Sequence, residues 1–296
     1  MLKERVGSQM ANSFQIVLEA IRPISHGDTR TGLGNPTNTR LFLREETLVN
    51  GDLLQVPSIS ENALRHVLFR EPLANDLLKS LGITGGLSYP MLHFFYNGGA
   101  LKKGSSSPAG SFATANKVQS LYPSVNLLGG SLDGFILPAG KLRIAAWLLT
   151  REYAPYVAKV NRELAAEAEK VSAFELVYEE TKTHSAKIPA LAEESQLEPM
   201  IYTTEVLAAG TKILVEGTFD PWTNDATVAA VTRALAVWEG YIGGQGRMGR
   251  GRMAILSSSG LPTDEAYSKH IDANKEAMRA GIMDGTLGTD KAVCAP

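Results

Sequence analysis

Five glycines crowd a short stretch near the end of the chain: Gly243, Gly244, Gly246, Gly249 and Gly251, interleaved with Gln245, Arg247, Met248 and Arg250. Glycines allow positive φ and close backbone approach, and a run of them presents successive N–H groups to an anion. Arginines add forked, charge-assisted contacts to phosphate. The place of the run constrains the fold more than its composition does. An apolar stripe at helical spacing precedes it, Val228, Val231, Leu235 and Trp238, and Arg252-Met253-Ala254-Ile255 follows and reads as a strand. A dinucleotide-binding loop has the opposite order, strand to glycines to helix, and a Walker loop needs Gly-Lys-Ser/Thr. The chain must therefore leave a helix, pass through a glycine loop and enter a last strand.

The elements before it fit one topology. Asn12 to Ile24 alternates Phe14, Ile16, Leu18 and Ala20 against Gln15 and Glu19, the pattern of a half-buried strand. Ser25 to Asn38 is a loop of turn formers. Thr39 to Glu46 reads as a strand, Asn50-Gly51-Asp52 as a hairpin turn, and Leu53 to Ile59 as its partner. Ser60 caps a helix with the stripe Ala63, Leu64, Val67 and Leu68, which Pro72 interrupts. Gly82 to Gly134 is a glycine- and serine-rich insertion. Gly140 to Thr150 reads as a strand and Tyr153 to Val171 as a helix. Glu175 to Pro199 reads as an exposed arm, Met200 to Phe219 as a hairpin turning at 208–210, and Thr263 to Gly281 as a last helix. Without the insertions the order is α+β, a ferredoxin-like (RRM-like) βαββαβ core.

Charge bears on function. The net charge of the 296 residues is −2, without the basic excess of a general DNA binder. Basic residues nonetheless cluster: Arg22, Arg30, Arg40 and Arg44 against Asp28, Lys79, Lys102, Lys103 and Lys117 with no acid between Leu77 and Leu132, and Arg247, Arg250 and Arg252. Loops of this kind on one face would neutralise phosphates. No apolar run is long enough to span a bilayer, and the start has no signal-type apolar segment. A single cysteine, Cys294, excludes an internal disulfide framework, and the five histidines have no metal-ligand spacing. The expectation is a cytoplasmic protein with no cofactor, no metal and no membrane partner.

Three segments carry a family resemblance. GGQGRMGRGRM resembles the C-terminal glycine-rich loop of the RAMP superfamily, RNA-binding proteins of CRISPR systems. LLQVPSISENALRHVLFRE is similar to the family's strand-to-helix turn, and MIYTTEVLAAGTKILVEGTF to its late hairpin. They occur in the family's order. Length and insertions look like the backbone subunit that polymerises along guide RNA, of the type I or type IV kind. The resemblance implies a single RAMP-type domain: first part of the palm 12–81, a finger-like insertion 82–134, the rest of the palm 140–256 with a thumb-like arm about 175–199, and a C-terminal helical extension 257–296. It implies that the chain binds CRISPR guide RNA, presents it for pairing with target DNA or RNA, and assembles with further copies and other effector subunits. The implied RNA contacts are His26, Arg30 and Arg40 in the first-strand loop, and Ser58, Ser60, Asn62, Arg65 and His66 at the helix opening. Lys102 and Lys103 in the insertion join them, with Gly243, Gly244, Gln245, Arg247, Arg250 and Arg252 in the glycine loop.

An enzymatic alternative accompanies this reading. Some RAMP proteins are ribonucleases, and the runner-up reading is an endoribonuclease that cuts precursor or target RNA with His26 or Asp28. Where RNA-cutting members carry an Asp in the first-strand loop, Asn35 stands here, and an amide is no carboxylate base. A third reading is an unrelated enzyme whose glycine loop holds a nucleotide.

Overall fold

The computed structural model describes residues 13–27, 38–39, 41–47, 51, 53–99, 112–132, 135–184, 200–244 and 246–289. Strand β1 (Ser13–Ala20) buries Phe14, Ile16, Leu18 and Ala20, as its alternation requires. Next come β2 (Asn38–Thr39), β3 (Leu43–Thr47) and β4 (Leu53–Pro57). β3 and β4 form the expected hairpin, Thr47 opposite Leu53. The one strand read over 39–46 is broken, because its two ends have different partners. Asn38 and Thr39 pair in parallel with Thr203 and Thr204, whereas 43–47 pair with β4.

Helix α1 (Glu61–Arg65) starts at Ser60, whose hydroxyl accepts from the Ala63 N–H at 3.3 Å. Pro72 does not break it. A π-helical turn, His66–Arg70, carries the chain straight into α2 (Glu71–Ser80). Proline lacks an N–H, and its ring crowds the carbonyl four residues earlier. Widening the ladder, with the Glu71 N–H on the His66 carbonyl, absorbs that conflict. The insertion holds α3 (Tyr89–Asn97), α4 (Phe112–Leu121), α5 (Pro123–Leu128), β5 (Ser131–Leu132) and β6 (Phe135–Ile136). Phe94 and Phe95 are buried edge-on at 5.2 Å, so these aromatics are packing.

Then come β7 (Leu142–Leu148), α6 (Ala154–Val160) and α7 (Arg162–Ala168). The single helix read over 153–171 splits at Asn161, which is extended (φ −151°) and caps α7 by accepting from the Glu163 and Leu164 N–H groups at 3.1 Å. The chain continues through β8 (Val177–His184), β9 (Met200–Leu207), β10 (Lys212–Phe219), α8 (Asp225–Val237), β11 (Met253–Ser259) and α9 (Glu265–Met283).

The main sheet has the order β11-β1-β10-β7, every pair antiparallel. With α1 and α2 between β1 and β7, and α8 between β10 and β11, this is the ferredoxin-like βαββαβ arrangement. A second sheet has the order β2-β9-β8. This corrects the hairpin read over 200–219. β9 pairs with β8, Val206 opposite Tyr178, while β10 pairs with β1 and β7. The corner between them is held apart by its own backbone: the Ala208 N–H donates to the Leu176 carbonyl at 2.8 Å and the Gly210 N–H to that of Ala20 at 2.7 Å. Phe14 of β1 meets Phe69 of the π turn at 6.2 Å, joining helix to sheet. α9 belongs to this core. Tyr267, Ile271, Met278 and Ile282 are buried, and Arg279 donates to the Leu81 carbonyl at 2.8 Å.

Candidate nucleic-acid interface

Backbone hydrogen bonds join the segment after β1, the opening of α1 and the glycine loop at one end of the main sheet. The Ile21 N–H donates to the Arg252 carbonyl at 2.7 Å, the Gly251 N–H to that of Pro23 at 2.8 Å, and the Gly244 N–H to that of Ser25 at 2.8 Å. One residue on, the Phe42 N–H donates to the His26 carbonyl at 2.8 Å and the Ser58 N–H to that of Phe42 at 3.0 Å. The Ser60 N–H donates to His26 Nε2 at 3.2 Å. His26 therefore helps satisfy the free N–H groups at the start of α1, and its ring lies edge-on to Phe42 at 5.5 Å.

Two of the glycines serve this joining rather than a ligand. Gly243 (φ +81°) lies so close to the Ser25 carbonyl that a Cβ would sit 2.4 Å from its oxygen. At Gly251 (φ +74°) a Cβ would come within 1.9 Å of the Ile242 oxygen. Between them the loop is open, with Gly244, Gly246, Arg247, Met248 and Gly249 all exposed.

The arginines divide in the same way. Arg247, on a short 3-10 turn, and Arg252, at the start of β11, are exposed. Arg250, expected among the RNA contacts, is instead buried. It is 3% exposed, and its guanidinium forms an ion pair with Glu180 of β8. A guanidinium taken out of water needs such a carboxylate, so it clamps the loop to the arm strand rather than waiting for phosphate. The acidic character of that arm thereby has a structural use.

At the opening of α1, Ser58 is buried, Ser60 Oγ serves as the cap, and Asn62 is exposed. His66 is partly exposed, 4.0 Å from Glu71. Arg65 donates to the Leu128 carbonyl at 2.9 Å, and Arg70 to those of Leu128 and Gly129 at 3.1 Å. Both guanidiniums face the carbonyl end of α5, where positive charge is favoured. Burial lowers the pKa of Arg65; burial and then the charge of Arg65 lower that of Arg70 to about 10. Arg65 Nε is buried with no hydrogen-bond partner among the described residues. Arg65, Asn62, Arg143 and the backbone of Gly129, Gly130 and Gly140 line a cleft of about 550 Å³. Arg44, from the basic first-strand region, is held by Glu61 at 2.5 Å.

Asp28, Arg30, Arg40, Lys102, Lys103 and Gln245 lie outside the described residues, as do Asn35, Cys294 and residues 185–199 of the arm. Sequence reasoning missed the role of Glu180; the surplus of glutamates at 161–199 was its signal. Among the described residues no group of three His, Cys, Asp or Glu side chains is placed to hold a metal, and no helix is long and apolar enough to cross a membrane.

No family model matches the chain, and no curated protein matches it. Among solved structures it is similar to a chain of a structure described as a type IV-B CRISPR complex. The TM-score is 0.52 at 17% identity, covering 86% of this chain and 96% of that one. The two share a fold over nearly their whole lengths.

Proposed function

We propose that this chain is a RAMP-type RNA-binding subunit of a CRISPR effector complex, oligomerising along guide RNA and presenting it for pairing with target nucleic acid. One observation carries the reading: the first-strand loop, the opening of α1 and the glycine loop are hydrogen-bonded together at one end of a ferredoxin-like core. There the exposed Arg247 and Arg252 flank open glycine backbone, a combination suited to phosphate and indifferent to base sequence. The likeness in fold to a chain of a type IV-B CRISPR complex supports the same reading. His26 Nε2 accepts the Ser60 N–H, which supports a role for His26 in holding the opening of α1 rather than as a base at that nitrogen. Coexpression with a CRISPR RNA tests the proposal. The expected product is a multimer with strong absorbance at 260 nm that leaves labelled guide and target RNA intact. An RNA-free monomer overturns the binding reading, and cut RNA overturns the assignment as a non-enzyme.

A further inference from the structure

A pocket of about 390 Å³ opens beside the glycine loop, walled by Val67, Pro72 and Val237 and by the aromatic residues Trp238 and Tyr241. The Trp238 indole N–H donates to the Tyr241 carbonyl at 3.3 Å, fixing the two on one turn after α8. Polar groups enter from the opposite helix. Glu71 and Asn75 lie one turn apart on α2 and both line the pocket. The Tyr96 hydroxyl donates to Asn75 Oδ1, an arrangement in which the amide NH₂ is the group available as a donor. Gly243, Gly246 and Arg247 of the glycine loop form the remaining rim, with Glu239, a second carboxylate, exposed beside Trp238. Small-ligand sites have this size and make-up, mostly apolar walls with a few placed polar groups.

We infer that this pocket takes one unstacked nucleobase, with a preference for guanine, from an RNA strand whose phosphate lies at Arg247. The inference rests on the RNA-binding reading above and adds a base-selective contact to it. Aromatic side chains stack on any base. The polar pair discriminates. A carboxylate accepts from neighbouring donors, and guanine offers N1–H and N2–H side by side next to the O6 acceptor. The Glu71 carboxylate and the Asn75 NH₂ complement that edge. Uracil presents carbonyl oxygens on both sides of its one N–H and would set an oxygen against the carboxylate.

Saturation-transfer NMR of GMP and UMP against the full chain tests this independently of RNA affinity. GMP is expected to bind about tenfold more tightly than UMP, in line with the selectivity of a good bidentate contact. Glu71 is half-exposed, so Glu71→Gln should leave the fold intact while removing most of the preference. Trp238→Leu, its folding checked by circular dichroism, should weaken both nucleotides. Equal binding of GMP and UMP, or an unchanged preference in Glu71→Gln, overturns the pocket. If labelled RNA still binds in that case, the RNA-binding reading stands without it. If RNA fails to bind while GMP binds selectively, the pocket is upheld and the RNA reading falls.

Discussion

Glu180 and Arg250 form one contact but are unequally placed: the guanidinium is 4% exposed and the carboxylate 27%. Removing the carboxylate takes an ion-pair partner from a buried charge, whereas removing the guanidinium leaves an acid that still reaches water. Glu180→Gln is therefore expected to cost about 3–5 kcal/mol in chemical denaturation. Arg250→Met should cost less, and the double variant less than the sum. Equal, additive losses would argue against the pair. Glu152 adds a pH dependence. Burial raises its pKa, but hydrogen bonds from the Ser172 hydroxyl (2.5 Å) and the Ala173 N–H (2.8 Å) outweigh burial and hold it below its ordinary value of 4.5. A depressed carboxylate stabilises the fold above the unfolded value and loses that contribution as pH falls through the folded one. The gap in Tm between the natural protein and Glu152→Gln should thus be full at neutral pH and close below pH 4.5.

Among elements, the glycine loop gives the sharpest contrast. Gly251→Ala forces a side chain into left-handed backbone against the Ile242 carbonyl, with an expected loss of at least about 1–2 kcal/mol. At Gly244 the nearest atom to an added Cβ is 3.8 Å away, so Gly244→Ala should melt like the natural protein. Thermal melts of the two variants decide whether close approach is internal, as described. Local pattern made much of the fold legible. The alternation in β1, the pairing of β3 with β4 and the cap at Ser60 act over a few residues, and each appears in the structure. Partner choice across long separations was not legible. β9 and β10 look like neighbours across a turn, yet their pairing depends on β8 and β1. Arg247 and Arg250 are equivalent within an aperiodic glycine run; only the distant Glu180 separates the exposed one from the buried one. Pro72 reads as a break because the period alone does not show that a π turn will accommodate it.

For the whole molecule, the proposed grip on RNA is through phosphate. Replacing Arg247 and Arg252 together by Ala should weaken two unrelated RNA sequences equally in filter binding. It should also flatten the salt dependence by roughly one to two phosphate contacts. Folding should survive, since exposed loop positions usually shift stability by less than about 0.5 kcal/mol. A loss confined to one sequence would mean that these arginines read bases. The Glu180–Arg250 pair also ties the start of the arm to the far end of the glycine loop, two places that belong to different sheets. Such a tie works as a lever with no preferred end. If a neighbouring molecule that grips the arm strengthens the loop's hold on its ligand by some factor, the ligand must strengthen the arm's hold on that neighbour by the same factor. Cutting the tie would weaken any such coupling without abolishing it, because the backbone hydrogen bonds between Ile24 and Leu207 still join the second sheet to the segment beside the glycine loop.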